Sequence, residues 1–350
     1  MTSARDTWRF RRSKALWLRD VLLVVGLGVC AGLSWQIGVQ QILVYLQRLG
    51  WQGVLVFLPY LLVFICDAFG WRYAFTEPPP VGFLRLLALQ IIGKAMNIIT
   101  PLASVGGDPA KAYLLQTAGV PFSAGLASVV ISRTIVTIAQ GLFVLVITVV
   151  MFFSMGLPWQ LVKAVAVALV IGAILVGAFF FAQTHGLFTG LLGLARRLQH
   201  GLSPLEEGAR DLDRRIADYY RQHWGRGILS LTFHLLGWLM EGVEVYVLLK
   251  LLQLSATATV AIGIAALSSA VRAASFVIPA SLGIQEGGNI FIFSSFGLPA
   301  DAAMAFSILR RMRELGWTAI GFLLLSRFNI ERPLGPTSAS AAAFPRPHSG

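Results

Sequence analysis

Apolar residues run along this chain in long blocks, with the polar residues gathered between them. About 18 to 20 apolar residues suffice for a helix to cross a bilayer. On that measure the pattern predicts spans over about 17–38, 51–74, 121–152, 160–183, 226–252 and 299–326. Residues 39–50 (VQQILVYLQRLG) are shorter and amphipathic, which suits a helix lying at the interface. Glu77-Pro78-Pro79-Pro80 reads as a stiff connector, and the Ser-, Ala- and Pro-rich residues 329–350 read as a disordered tail.

Two further apolar stretches are interrupted. The run 83–100 stops at Ile99-Thr100-Pro101-Leu102-Ala103-Ser104-Val105-Gly106-Gly107-Asp108, and a short helix is predicted over 109–118. Residues 257–296 are broken in the same way at Ile278-Pro279-Ala280-Ser281-Leu282-Gly283-Ile284-Gln285-Glu286. The two breaks correspond at a fixed separation of 178 residues, which pairs Lys94 with Arg272, Pro101 with Pro279 and Asp108 with Glu286. The same register pairs Gly119 with Gly297, Pro121 with Pro299 and Arg133 with Arg311, without a gap. Chance similarity of apolar text would not keep rare charged residues in step, so the chain contains an internal repeat.

Charge now orients the pattern. Only 13% of the 350 residues are charged, against roughly 25% in soluble domains, so the expected class is a polytopic membrane protein. The net charge of +12 is concentrated beside the spans, in residues 1–16, at Arg72 and Arg85, in a polar loop at 184–226, and at Arg327 and Arg332. Basic flanks of this kind mark the cytoplasmic side, and without a recognition motif they do not point to nucleic acid. Placing every basic region inside requires 83–119 and 257–296 each to enter and leave on one face. The predicted fold is all-α, with about six spans and two re-entrant hairpins, arranged as an inverted repeat of span–hairpin–span. Repeat 1 covers about 51–152, repeat 2 about 226–326, and the transmembrane domain 17–328. Both termini are expected in the cytoplasm. Inverted repeats with interrupted helices are a common plan of secondary transporters. A rival count makes every apolar run a full crossing, giving eight or more.

Candidate chemistry follows from polar residues inside these spans. Arg133 and Arg311 each lie twelve residues into a span, or roughly 18 Å at about 1.5 Å per residue, so both are expected near the midplane. An intramembrane arginine is costly and points to function, and its planar donor fork suits a phosphate or carboxylate. The substrate-binding candidates are therefore Arg133, Arg311, Lys94, Arg272, Asp108 and Glu286. The bland alternative is that the arginines only pair with Asp108 and Glu286 to hold the hairpins. Asp108-Pro109 also suits a helix start. His234, Glu241 and Glu244 share one face of the 226–252 span, and with Asp67 they form a candidate proton relay or buried hydrogen-bond network. Pro101, Gly106, Gly107, Pro279 and Gly283 are candidate hinges. Cys30 and Cys66 read as inert packing residues. No cofactor, metal or nucleotide motif appears, and an enzyme is not expected.

At these residues the sequence resembles a known family. The stretches VGGDPAKAYLL, ISRTIVTIAQG, LLGWLMEGVEVYVLLKLL, VRAASFVIPASLGIQEGG and FGLPADAAMAFSILRRMRELGW resemble the lysylphosphatidylglycerol synthase transmembrane-region (flippase-like) superfamily. Within it they are most similar to the hopanoid-biosynthesis-associated, HpnL-type branch, and the likeness covers roughly residues 15–328. The resemblance implies a bacterial inner-membrane protein that moves or positions lipids, hopanoids being the candidate cargo. Other implied partners are lipid-biosynthesis proteins or further copies of this chain. Two-domain relatives carry a soluble aminoacyl-transfer domain after the membrane region. With 350 residues that domain is expected to be absent, and lipid aminoacylation with it. The family's arginine after the first acid is here Lys111, which keeps the charge without the bidentate fork. The runner-up function is a non-transporting scaffold for lipid-synthesis enzymes.

Overall fold

A computed structural model of the chain describes residues 50–99, 106–156, 158–198, 203–274 and 284–328. The expected first span, the interfacial segment before residue 50, Cys30, the hinge candidates Pro101, Pro279 and Gly283, and the C-terminal tail lie outside the described residues. A 3-10 turn at Gly50–Val56 leads into α1 (Leu58–Tyr73), followed by α2 (Phe83–Ile99), α3 (Gly107–Gln116), α4 (Phe122–Met155) and α5 (Trp159–Thr184). Next come α6 (Leu187–Leu198), α7 (Ser203–Gln222), α8 (Trp224–Leu251), α9 (Ala258–Ala274), α10 (Ile284–Ser295) and α11 (Ala300–Arg327). All the secondary structure among the described residues is helical.

Among the described residues, four helical stretches are long and apolar enough to cross a membrane: Val54–Tyr73, Phe122–Met155, Trp159–Thr184 and Trp224–Leu251. The 28-residue α11 is long enough at about 1.5 Å per residue, but it carries Arg310, Arg311, Arg313 and Glu314 at its centre. α2, α3, α9 and α10 have 17, 10, 17 and 12 residues, too few for an ordinary span. α2 with α3, and α9 with α10, pack as pairs. The chain is a multi-pass membrane protein.

The repeat is visible in the packing. Exchanging α1 with α8, α2 with α9, α3 with α10 and α4 with α11 maps the contact α2–α11 onto α4–α9, and α3–α4 onto α10–α11. α1 and α8 pack most extensively on each other, and they run antiparallel. Asp67 meets His234, the Gly70 carbonyl accepts from Ser230, and the Phe75 carbonyl accepts from Arg226. These two corresponding helices thus point in opposite directions. Even the turns recur. Gly119 and Gly297 have φ of +86° and +68°, a left-handed conformation that glycine adopts without a Cβ penalty. Each is followed two residues later by the proline that starts the next helix.

The 184–226 stretch, expected as a polar loop, folds into α6 and α7. Leu212, Ile216 and Tyr219, spaced one helical face apart, are buried in a core shared with α2, α3 and α4. Asp213 caps α6 from the neighbouring helix, accepting from the Phe188 and Thr189 amides and from the Thr189 hydroxyl. Ser123 at the start of α4 donates to Asp211 at 2.5 Å. That bond, aided by Arg215 and opposed by burial, holds the Asp211 carboxyl below its ordinary range.

Candidate functional site

The charged residues of the second repeat converge where α8, α9, α10 and α11 meet. Glu241 on α8 accepts from Arg272 of α9 and from Arg310 of α11. One turn along α8, Glu244 accepts from Arg313. Arg311 reaches Glu286 of α10 at 3.3 Å and Glu314 at 3.2 Å, while Arg313 adds a contact to Glu314 at 3.4 Å. The Arg313 guanidinium also lies 3.8 Å from the centre of the Tyr60 ring, a cation–π contact. Four arginines thus meet four glutamates. The helix period places Arg310, Arg313 and Glu314 on one side of α11, three and four residues apart, so a single helix faces the acids of α8.

This cluster is buried but not saturated. The side chains of Arg310, Arg313 and Glu244 are 3%, 2% and 0% exposed. Even so, Nε and Nη1 of Arg310, Nε of Arg313 and Oε2 of Glu244 have no hydrogen-bond partner among the described residues. Buried polar atoms are ordinarily paired, and leaving them unpaired costs roughly 1–3 kcal/mol each. The unsatisfied atoms therefore mark a place suited to waters or to a polar ligand group.

The first repeat uses its corresponding positions differently. Asp108 pairs with Lys111 on its own helix at 3.0 Å, and Lys111 also donates to Gln90 at 3.2 Å and lies 5.0 Å from the Trp71 ring centre. Lys111 and Gln90 are the repeat partners of Asn289 and Ser268, which bond each other at 2.8 Å in the second half. Lys94 is exposed on α2. Arg133 is exposed and contacts neither Asp108 nor another described carboxylate. So Arg311 joins Glu286 as the repeat suggested, whereas Arg133 and Asp108 are not brought together.

The 34-residue α4 packs on α3, α5 and α7. Thr134, the residue after Arg133, bonds Gln183 at 3.0 Å, and Gln183 is one residue from the end of α5. Arg133 therefore lies at the Thr184 end of the α4–α5 pair.

Asp67 and His234 form a second polar centre. His234 Nδ1 lies 3.0 Å from Asp67 Oδ1 and its Nε2 lies 3.2 Å from the Ser132 hydroxyl. The imidazole fits because Gly70 leaves room: a Cβ there would fall 2.7 Å from the ring. Glu241 and Glu244 belong to the arginine cluster, so the face expected on α8 serves two separate networks. Ser132, His234 and Asp67 thus form a line of hydrogen bonds from a buried hydroxyl to a partly exposed carboxylate. Of the hinge candidates, Gly107 is a point of close contact. Its amide donates to the Asn97 side chain at 2.8 Å, and a Cβ would stand 2.0 Å from the Gly93 carbonyl. Gly106 directly precedes this helix start. Cys66 is a free, partly buried thiol. Among the described residues no three His, Cys, Asp or Glu side chains group as a metal site.

Sequence reasoning missed Arg310, Arg313 and Glu314. Their signal is plain in retrospect: three charged residues on one face in the middle of a span-length helix.

Residues 21–321 match the family described as the lysylphosphatidylglycerol synthase TM region. The chain is also similar to two proteins of Methanothermobacter thermautotrophicus strain Delta H, each described as a UPF0104 membrane protein. One is 25% identical over 258 residues, covering 69% of this chain and 73% of its own length. The other is 24% identical over 330 residues, covering 89% of this chain and 93% of its own length. No solved structure matches. With a match spanning most of its length and the multi-pass helical fold described above, this chain belongs to the lysylphosphatidylglycerol synthase transmembrane-region family.

Proposed function

We propose that the protein moves or positions a polar-headed lipid across its membrane, with hopanoid-type lipids as the candidate cargo, and that it is not an enzyme. The observation that carries this reading is the buried cluster of arginines and glutamates in the second repeat, with unpaired polar atoms on Arg310, Arg313 and Glu244. Transfer of a lipid headgroup through hydrocarbon needs such a place, where a polar group exchanges water for fixed donors and acceptors. The cluster is electrically balanced, so an acidic headgroup that takes a guanidinium from its glutamate stays charge-neutral in the bundle only if the displaced carboxylate takes up a proton. The antiparallel relation of the two halves supports alternating access, since inverted repeats can exchange roles as a cavity changes sides. On this reading α2–α3 and α9–α10 are re-entrant hairpins of a bacterial inner-membrane protein. Both termini and the α6–α7 pair then face the cytoplasm.

The test removes one ion pair as a unit. Glu286 and Arg311 are 22% and 13% exposed, less deeply buried than Glu241 and Arg310, so Glu286→Gln with Arg311→Gln leaves no lone buried charge. Movement of fluorescent lipid in proteoliposomes is expected to fall at least about 10-fold, the effect of losing one charge-assisted contact. Lipid mass spectrometry on the purified protein is expected to show one polar lipid enriched, and that enrichment lost in the variant. Equal movement and equal bulk lipid in both proteins would favour the scaffold reading.

A further inference from the structure

Outside the central cluster, Arg133 is a cation with no carboxylate partner among the described residues. Its side chain is exposed and donates to no described side chain, while its backbone carbonyl accepts from the Thr137 hydroxyl. It stands in a groove of about 200 Å³ between α4 and α5, lined by Arg133, Thr134, Thr137, Leu175, Val176 and Phe179. The groove is amphiphilic along its length. At one end Thr134 bonds Gln183, which also accepts from Tyr220 of α7. Leu175, Val176 and Phe179 lie one to two turns of α5 away, toward its apolar middle. The surrounding outward face of α5 is exposed and apolar, including Ile171, Ile174 and Leu175.

From this geometry we infer that the α4–α5 groove is a binding site for one anionic phospholipid, with its phosphodiester on Arg133 and an acyl chain along Leu175, Val176 and Phe179. The occupant follows from charge and depth. An unpaired guanidinium at the edge of the hydrocarbon layer seeks a fixed anion, and its planar fork matches two oxygens of a phosphate. A water-borne anion would not use the apolar wall below. A zwitterionic lipid offers the same phosphate, but with a tethered cation that the arginine repels. The inference requires no part of the transport reading, since the groove is separate from the arginine cluster of α11.

The full chain is placed in nanodiscs containing equal phosphatidylglycerol and phosphatidylcholine, and native mass spectrometry counts the lipids retained on release. Because Arg133 is exposed and supports no other side chain, Arg133→Gln is expected to fold normally. It should hold one phosphatidylglycerol fewer than the parent, with affinity lower by about 10-fold or more. Arg133→Lys, which keeps charge without the fork, should fall between them. Leu175→Trp fills the groove with Arg133 intact and should lose the same lipid. Equal phosphatidylglycerol on the parent and Arg133→Gln would overturn the site. Retention of phosphatidylcholine in its place would overturn the anionic preference. Unchanged retention in Leu175→Trp would remove the groove from the inference and leave a surface contact only.

Discussion

Single residues set how closely the helices of this protein approach. Gly107 is the tightest case, because its missing side chain lets the start of α3 rest on the Gly93 carbonyl of α2. Backbone cannot rotate aside as a side chain can, so Gly107→Ala is expected to force the two helices apart. The thermal midpoint of the purified protein should drop by an amount corresponding to about 3 kcal/mol, at the upper end of overpacking costs. Gly287→Ala supplies the control. Nothing lies within 4 Å of a Cβ at that position, and alanine favours helix over glycine, so its midpoint should hold or rise. The same comparison qualifies the expectation of hinges at the Gly/Pro breaks. At Gly107 the need for glycine is explained by contact alone, whereas Pro101, Pro279 and Gly283 lie outside the described residues.

At the level of elements, the α6–α7 pair was the largest departure from the sequence reading. Its many charges suggested a loop, but apart from the buried Asp213 they lie on the outer side of a helix whose Leu212, Ile216 and Tyr219 face inward. Net polarity hid a period that spacing reveals. What joins α6 to α7 is Asp213, whose carboxylate supplies the acceptors that the first amides of a helix lack. Asp213→Ala should therefore remove about 1 kcal/mol, the usual value of a cap. Amide exchange over 187–193 should quicken, while α8 and α11 remain protected. Uniform quickening throughout would show that Asp213 supports the whole fold and not one helix end.

Across the whole molecule, the antiparallel packing of α1 on α8 makes the two halves inverted copies, and the sidedness of the loops follows from it. If α2–α3 is a re-entrant hairpin, single cysteines at Glu77 and Phe122, in a chain with Cys30 and Cys66 replaced by alanine, should react with an impermeant maleimide from the same face. Cysteines at Ser255 and Asp301 should both react from the opposite face. Labelling of Glu77→Cys and Phe122→Cys from different faces would make the first interrupted stretch a crossing and overturn the six-span count. The asymmetry between halves bears on function at this scale. One repeat gathers its charges into a buried cluster, while the other ties Asp108 to Lys111 locally and turns Arg133 outward. The two ends of any transport cycle are then chemically unequal.

Among the described residues, the long apolar helices and the repeat were legible without coordinates. Each is written in local terms that one segment can carry alone: apolar length, Pro and Gly at the interruptions, and rare charges held in register. Membership of Glu286 and Arg311 in one site could be read from that register too. Which charges actually meet was not legible. Glu241 and Glu244 find Arg310 and Arg313 only because α8 lies against α9 and approaches α11 in the folded chain, while Asp108 is taken by Lys111 on its own helix and Arg133 lines a groove with α5. Local sequence fixes what a helix is and where it ends. Contact between residues far apart in the chain depends on how helices cross, and many helices of similar length and apolarity are compatible with more than one arrangement until their side chains are packed together.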